Sequence, residues 1–224
     1  MGHKITVFKL LDADVLDSDV FQKAITHRSM GKKNNERLEF LGDSVLGLVI
    51  SDFLFEYFPN AKEGELSRFR SHLVRGTTLS EIAAESHLGD YLNLGEGELK
   101  SGGFRRESIM EDALEAIIGA VYTIKGFDYA RSYILSLFGE RLNNLPDPEL
   151  LKDPKSRLQE WLQSEGRPVP SYRVLDISGD AHQQKFLTEC RIESLDIVTQ
   201  AEGSSRRKAE QSAAEKALNI VLRH

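Results

Sequence analysis

A single cysteine, a single tryptophan and three methionines in 224 residues leave several kinds of chemistry without material. With Cys190 alone no internal disulfide can form; it fits a reducing compartment and is read as a core thiol. Long hydrophobic runs are missing too. The longest, Val45 to Ile50, is far below membrane-spanning length, and Met1 to Leu11 is too short and mixed for a signal peptide. A soluble, cytoplasmic protein without membrane association is expected. The six histidines are scattered without paired spacing, which argues against a histidine acid–base site or a zinc site. His27 is read as structural.

Helical periodicity fills the first part of the chain. Apolar residues recur at helical spacing in Phe21 to Ile25, Leu38 to Phe58, Leu66 to Val74, Leu79 to Ala84, Ile109 to Ile124 and Tyr129 to Leu142, which predicts an all-α domain over 1–145. Three prolines crowd into Asn143 to Pro154, so 146–152 is read as a linker. Beyond it the period changes. A helix over Asp153 to Glu165 is followed by alternating strands at Tyr172 to Val174, Phe186 to Glu193 and Ile197 to Ala201, then a helix over Ser205 to Leu222. A small α+β domain of order α-β-β-β-α over 153–224 is expected. The net charge of −6 lies wholly before it: residues 1–152 hold 18 basic and 24 acidic residues, and 153–224 hold 11 of each. An acidic chain can therefore still carry a nucleic-acid-binding half.

The acids of the first part are unusually placed. The run Asn35-Glu36-Arg37-Leu38-Glu39-Phe40-Leu41-Gly42-Asp43-Ser44 reads as the start of a long helix, capped by Asn35 and ended by Pro59. Leu38, Leu41, Val45, Leu48 and Val49 form its apolar stripe, and Glu36, Glu39 and Asp43 share a stripe beside it. None of the three has a cation one turn C-terminal, and only Lys32 is placed to reach back to Glu36. Asp112 and Glu115 repeat the pattern on a second apolar helix, whose start is marked by a capping-box spacing of Ser108 and Glu111. Two carboxylates about 5.5 Å apart repel by a few tenths of a kcal/mol in water. At an effective dielectric of about 20 the cost is roughly 3 kcal/mol. Partly buried, the stripes need neutralising, and a hard divalent cation with oxygen ligands would do it.

At these residues the sequence resembles the bacterial ribonuclease III endonucleases. The run NERLEFLGDS at 35–44 looks like that family's signature, and KEGELSRFRSHLVR, GELKSGGFRRESIMEDALEAIIGA and the C-terminal half match as well. The resemblance implies hydrolysis of double-stranded RNA by a homodimer, with Mg²⁺ as cofactor and Mn²⁺ as a substitute. It also implies products with 5′-phosphate and 3′-hydroxyl ends, and work on ribosomal RNA precursors and other structured transcripts. Glu39, Asp43, Asp112 and Glu115 would hold the metal, Asp43 and Glu115 being catalytic, and Glu36 and Glu63 would support them. Phe40, Leu41 and Val45 widen the apolar surface of the first acidic helix and mark it for the dimer interface. The basic loop Lys100 to Arg106 is weighed equally as a phosphate contact and as a plain loop.

The C-terminal half looks like a double-stranded-RNA-binding domain. Behind Ser205, the cations Arg206, Arg207 and Lys208 stand in the first helical turn, where the macrodipole disfavours each by roughly 0.3 to 1 kcal/mol. A phosphate there reverses the sign. Gln159, Glu160 and the loop holding His182 would then reach the flanking minor grooves. Glu210 stands where many such domains carry another lysine, which should weaken phosphate contact. Two other readings compete: an RNA-binding regulator without activity, and a phosphohydrolase of nucleotides. The first leaves the carboxylates needlessly destabilising, and the second leaves the C-terminal domain without a purpose.

Overall fold

The computed structural model describes residues 7–180 and 183–223, and the chain divides into two compact units, Met1–Pro146 and Asp147–His224. In the first unit the regular elements of the described residues are helices: α1 (Ala13–Leu16), α2 (Asp19–Ala24), α3 (Glu36–Tyr57), α4 (Glu63–Leu73), α5 (Gly76–Glu85), α6 (Glu96–Lys100), α7 (Glu107–Lys125), α8 (Phe127–Phe138) and α9 (Glu140–Asn143). Short 3₁₀ turns join them, and a parallel bridge links Thr26 to Asn93.

Local signals placed the helices better than their ends. Asn35 precedes α3 but makes no side-chain cap; the Glu36 N–H donates instead to Asn34 Oδ1 at 3.1 Å. Buried Asn35 is held by its backbone, its N–H donating to the Thr26 carbonyl at 2.9 Å. The capping box expected of Ser108 and Glu111 does not form. The 3₁₀ turn Gly103–Arg105 already directs the chain into α7, which begins at Glu107. The helix expected from Tyr129 to Leu142 breaks into α8 and α9 at Gly139, whose φ of 46° no ordinary helix accepts.

The core of this unit is the crossing of α3 and α7, with α2, α5 and α8 packed around α7. Two glycines set its depth. A Cβ on Gly42 would collide with the Glu115 carbonyl, and one on Gly119 with that of Leu38, so the two backbones touch. Leu46, Ile50, Leu114, Ile117 and Ile118 are fully buried around the contact. Each contributes about 1.5–3 kcal/mol. Leu48, expected inward, faces out at 57 % exposure beside Phe40 (77 %) and Phe55 (73 %), because the middle of α3 is apolar on two sides.

The second unit runs α10 (Pro154–Ser164), β1 (Ser171–Ser178), β2 (Lys185–Ile192), β3 (Ile197–Gly203) and α11 (Arg206–Val221). Its strands form an antiparallel sheet in chain order, with Tyr172 opposite Cys190 and Cys190 opposite Thr199. Thr188, Cys190 and Ile192 are buried on one face of β2, as the period of two predicts. Ala213 and Ala217 let α11 lie close to that face, and Leu158 and Leu162 of α10 complete the core. Lys152, placed by sequence in the linker, is tied to this unit through Glu149 (2.8 Å) and Glu160 (2.6 Å).

Candidate active site

Close contact at Gly42 and Gly119 brings the two acidic stripes into one field. Glu115 is 9 % exposed, and burial pushes its carboxyl up to about 8, reinforced by Asp43, Glu111, Glu39 and Asp112. Glu39 is raised by burial, then by Asp112 and Glu36. Asp112 is raised by burial against the opposing pull of Arg28 and His27.

Two members of this cluster were not found in the sequence. Glu111, read as a capping partner, has its carboxylate against Gly76 at the start of α5, where a Cβ would strike it. Burial raises its pKa, as do Asp112 and Asp43. The available signal was a further acid beside Asp112 with no cation one turn away. The other is Arg28, which takes the place expected of Lys32: its Nη1 lies 4.0 Å from Glu36 Oε1. Contacts with a distant segment hold it there. The His27 N–H donates to the Asn93 carbonyl at 3.0 Å, and the Gly95 N–H to Ser29 Oγ at 2.8 Å. His27 itself is buried, with Nδ1 2.9 Å from Ser29 Oγ.

Glu63 stands elsewhere. It opens α4, accepts from Ser67 Oγ at 2.7 Å, and lines a cavity of about 400 Å³ with Leu48, Phe55, Leu66 and Arg70. It is absent from the groups that act on Glu115.

The donor set fits a hard divalent cation in chemistry and charge: carboxylate oxygens only, one of them on a buried group surrounded by like charge. Among the described residues no three acids, histidines or cysteines stand close enough to hold an ion as placed.

The sequence pattern described as Ribonuclease-III-like matches residues 17–142, and the double-stranded RNA binding motif matches 154–221. Curated relatives agree. A ribonuclease 3 of Shewanella denitrificans is 52 % identical over 213 residues, 95 % of this chain and 94 % of that protein. One of Vibrio atlanticus is 54 % identical over 202 residues, 90 % of each. The chain belongs to the ribonuclease III family. A solved nuclease domain of ribonuclease III from Campylobacter jejuni is 44 % identical, with a TM-score of 0.54, covering 56 % of this chain and 87 % of that one. It is described as structurally flexible in a region involved in dimer formation. The present ribonuclease III is thus an endoribonuclease specific for double-stranded RNA, with a nuclease unit followed by an RNA-binding unit.

In the RNA-binding unit the three expected cations are not equivalent. Ser205 caps α11 by accepting the Lys208 N–H at 3.2 Å. Arg206 Nε donates to Glu210 Oε1 at 2.9 Å, and Lys155 Nζ of α10 donates to Glu210 Oε2 at 2.6 Å. These two bonds hold the Glu210 carboxyl below its ordinary range and clamp α10 to α11. Among the described residues Arg207 and Lys208 have no such ion pair, and Arg206 remains largely exposed with only its Nε engaged. Gln159 is exposed on α10, Glu160 is engaged by Lys152, and His182 lies outside the described residues. The basic loop of the nuclease unit is satisfied internally by Lys100–Glu96 (3.5 Å), Arg106–Glu98 (3.1 Å) and Arg105 over the Phe104 ring.

Proposed function

We propose that Glu39, Asp43, Asp112 and Glu115 hold Mg²⁺, with Mn²⁺ as a substitute, and that this ribonuclease III cuts both strands of duplex RNA as a homodimer. The products carry 5′-phosphate and 3′-hydroxyl ends. Its cellular work on this reading is the processing of ribosomal RNA precursors and other structured transcripts in the cytoplasm.

The observation that carries the metal assignment is Glu115. A carboxyl raised to about 8 holds its proton at neutral pH, and a dication exchanges for that proton while turning repulsion into coordination. When bound, the cation supplies Lewis acidity to the phosphodiester and to an attacking water. The protein's own residues do the positioning. The charge of Asp43 is felt at Glu115 across the α3–α7 contact, and on this reading the two carboxyls set where the scissile phosphate rests. Arg28, 71 % exposed and loosely paired with Glu36, offers a cation to a non-bridging phosphate oxygen.

The dimer is supported by the outer side of α3. Phe40, Leu48 and Phe55 form an apolar strip beside the cavity that Leu54 and Leu66 also line. Pairing two such strips about a two-fold axis would take Phe40, Leu48 and Phe55 out of water. Two sites so related match the antiparallel strands of a duplex.

The test is incubation with a long RNA duplex in Mg²⁺, Mn²⁺ or chelator, with free nucleotides as control. Short duplexes with 5′-phosphates are expected only with metal. An intact duplex in both metals, or equal cutting in chelator, would overturn the reading.

A further inference from the structure

Four cations of the nuclease unit are grouped differently from the others. Lys23 of α2, Lys32 and Lys33 of the loop before α3, and Arg37 of the first turn of α3 line one cavity of about 400 Å³ whose walls hold no acid. All four are exposed, and among the described residues none is in an ion pair. Elsewhere in the unit Lys100, Arg106, Lys125, Arg131 and Arg141 are each paired with a carboxylate.

In a chain of net charge −6, four unpaired cations around one hollow repel one another, and Arg37 also faces the positive end of the α3 dipole. An anion in the hollow removes both penalties. The loop is preset for it: Asn34 Nδ2 donates to the Gly31 carbonyl (2.9 Å) and to Glu36 Oε2 (3.1 Å), fixing the turn that displays Lys32 and Lys33.

The floor selects the kind of anion. Val20, Leu38, Leu41 and Thr123 offer no aromatic face on which a base could stack, so the cavity reads phosphate and not base. At about 100° per residue Arg37 points about 160° round α3 from Glu39 and about 120° from Asp43, so the cavity opens on a different flank of the helix from the carboxylates. We propose that this cavity is a phosphate-binding subsite that holds the backbone of the RNA substrate on the flank of α3 away from the cleavage carboxylates, an inference that rests on reading those carboxylates as the cleavage site.

The experiment measures duplex affinity of the full chain carrying Glu115→Gln over a range of salt concentrations. Adding Lys23→Gln, Lys32→Gln, Lys33→Gln and Arg37→Gln should make the log–log salt slope shallower by two to four phosphate contacts, at about 0.9 per contact, and weaken binding at least tenfold at about 0.15 M salt. Lys32→Glu with Lys33→Glu, which leaves the helices untouched, should act in the same direction and guards against misfolding of the larger variant. Arg207→Ala with Lys208→Ala is the control that the slope responds. An unchanged slope in both cavity variants, with the control shifted, overturns the subsite. Calorimetry with ATP and with inorganic triphosphate separates the other source of phosphate. Binding abolished by the cavity variants while the RNA slope stays unchanged would make this a free-nucleotide site and overturn the proposal. Cleavage by the unmodified protein is scored separately, so failure of the carboxylate reading shows as an uncut duplex and failure of the subsite as an unchanged slope.

Discussion

Without a divalent cation Glu115 is a carboxylic acid at neutral pH, since burial and four surrounding acids place its pKa at about 8 against an ordinary 4.5. The folded chain then keeps a proton that the unfolded chain releases. Stability is therefore full below the unfolded value and falls as pH rises from there to about 8, by at most about 1.4 kcal/mol per pH unit from this group. Denaturant unfolding of the metal-free protein between those limits should show that decline. Glu115→Gln should flatten it, unfold no more easily than the parent at the alkaline end, and be nearly inactive in Mg²⁺. Activity within a few-fold of the parent would remove Glu115 from the catalytic set.

At the scale of the element, the site depends on how closely two helices approach. Alanine is favoured over glycine within a helix by about 1 kcal/mol. Gly47 on α3 has nothing within 4 Å of the position a Cβ would take, so Gly47→Ala should gain something near that amount. Gly42 lies five residues earlier on the same helix, and there the new methyl would meet the Glu115 carbonyl. Gly42→Ala should force α3 from α7 and cost a net of about 1–3 kcal/mol. It should also weaken Mg²⁺ binding, because the same separation parts Asp43 from Glu115. Urea titration of both variants gives the comparison; a gain in stability in Gly42→Ala as in Gly47→Ala would show that the crossing tolerates a side chain.

For the whole molecule, the exposed strip of Phe40, Leu48 and Phe55 and the two-strand substrate lead to the same assembly. A heterodimer of parent and Glu115→Gln subunits should nick one strand and leave its complement whole, which denaturing electrophoresis with each strand labelled resolves. Sedimentation should give a dimer at micromolar concentration. Cutting of both strands by the heterodimer, or a monomer in sedimentation, excludes two equivalent half-sites.

What the sequence by itself determined is what short stretches of chain encode: the helical period of the first unit, the change to a period of two in the second, the inward face of β2, and two acidic stripes without local partners. These are properties of neighbouring residues, decided by backbone preference and by which side of a helix or strand each residue takes. The signature at 35–44 added the family. Only the tertiary structure decided which distant groups meet. Arg28 reaches Glu36 because Asn93 and Gly95 hold its segment, and Glu111 turns to Gly76 because α7 starts at Glu107. Glu63 lies in the cavity beside Phe55 and Asp52, and is absent from the groups that act on Glu115. Glu210 is shared between Arg206 of its own helix and Lys155 of α10. Leu48 has the pattern of a core residue and yet faces outward. Apart from Arg206 and Glu210, one turn apart on α11, the partner lies on another segment or across a helix whose two sides are both apolar. Local periodicity carries no term for that choice, whereas close packing and the balance of buried charge do.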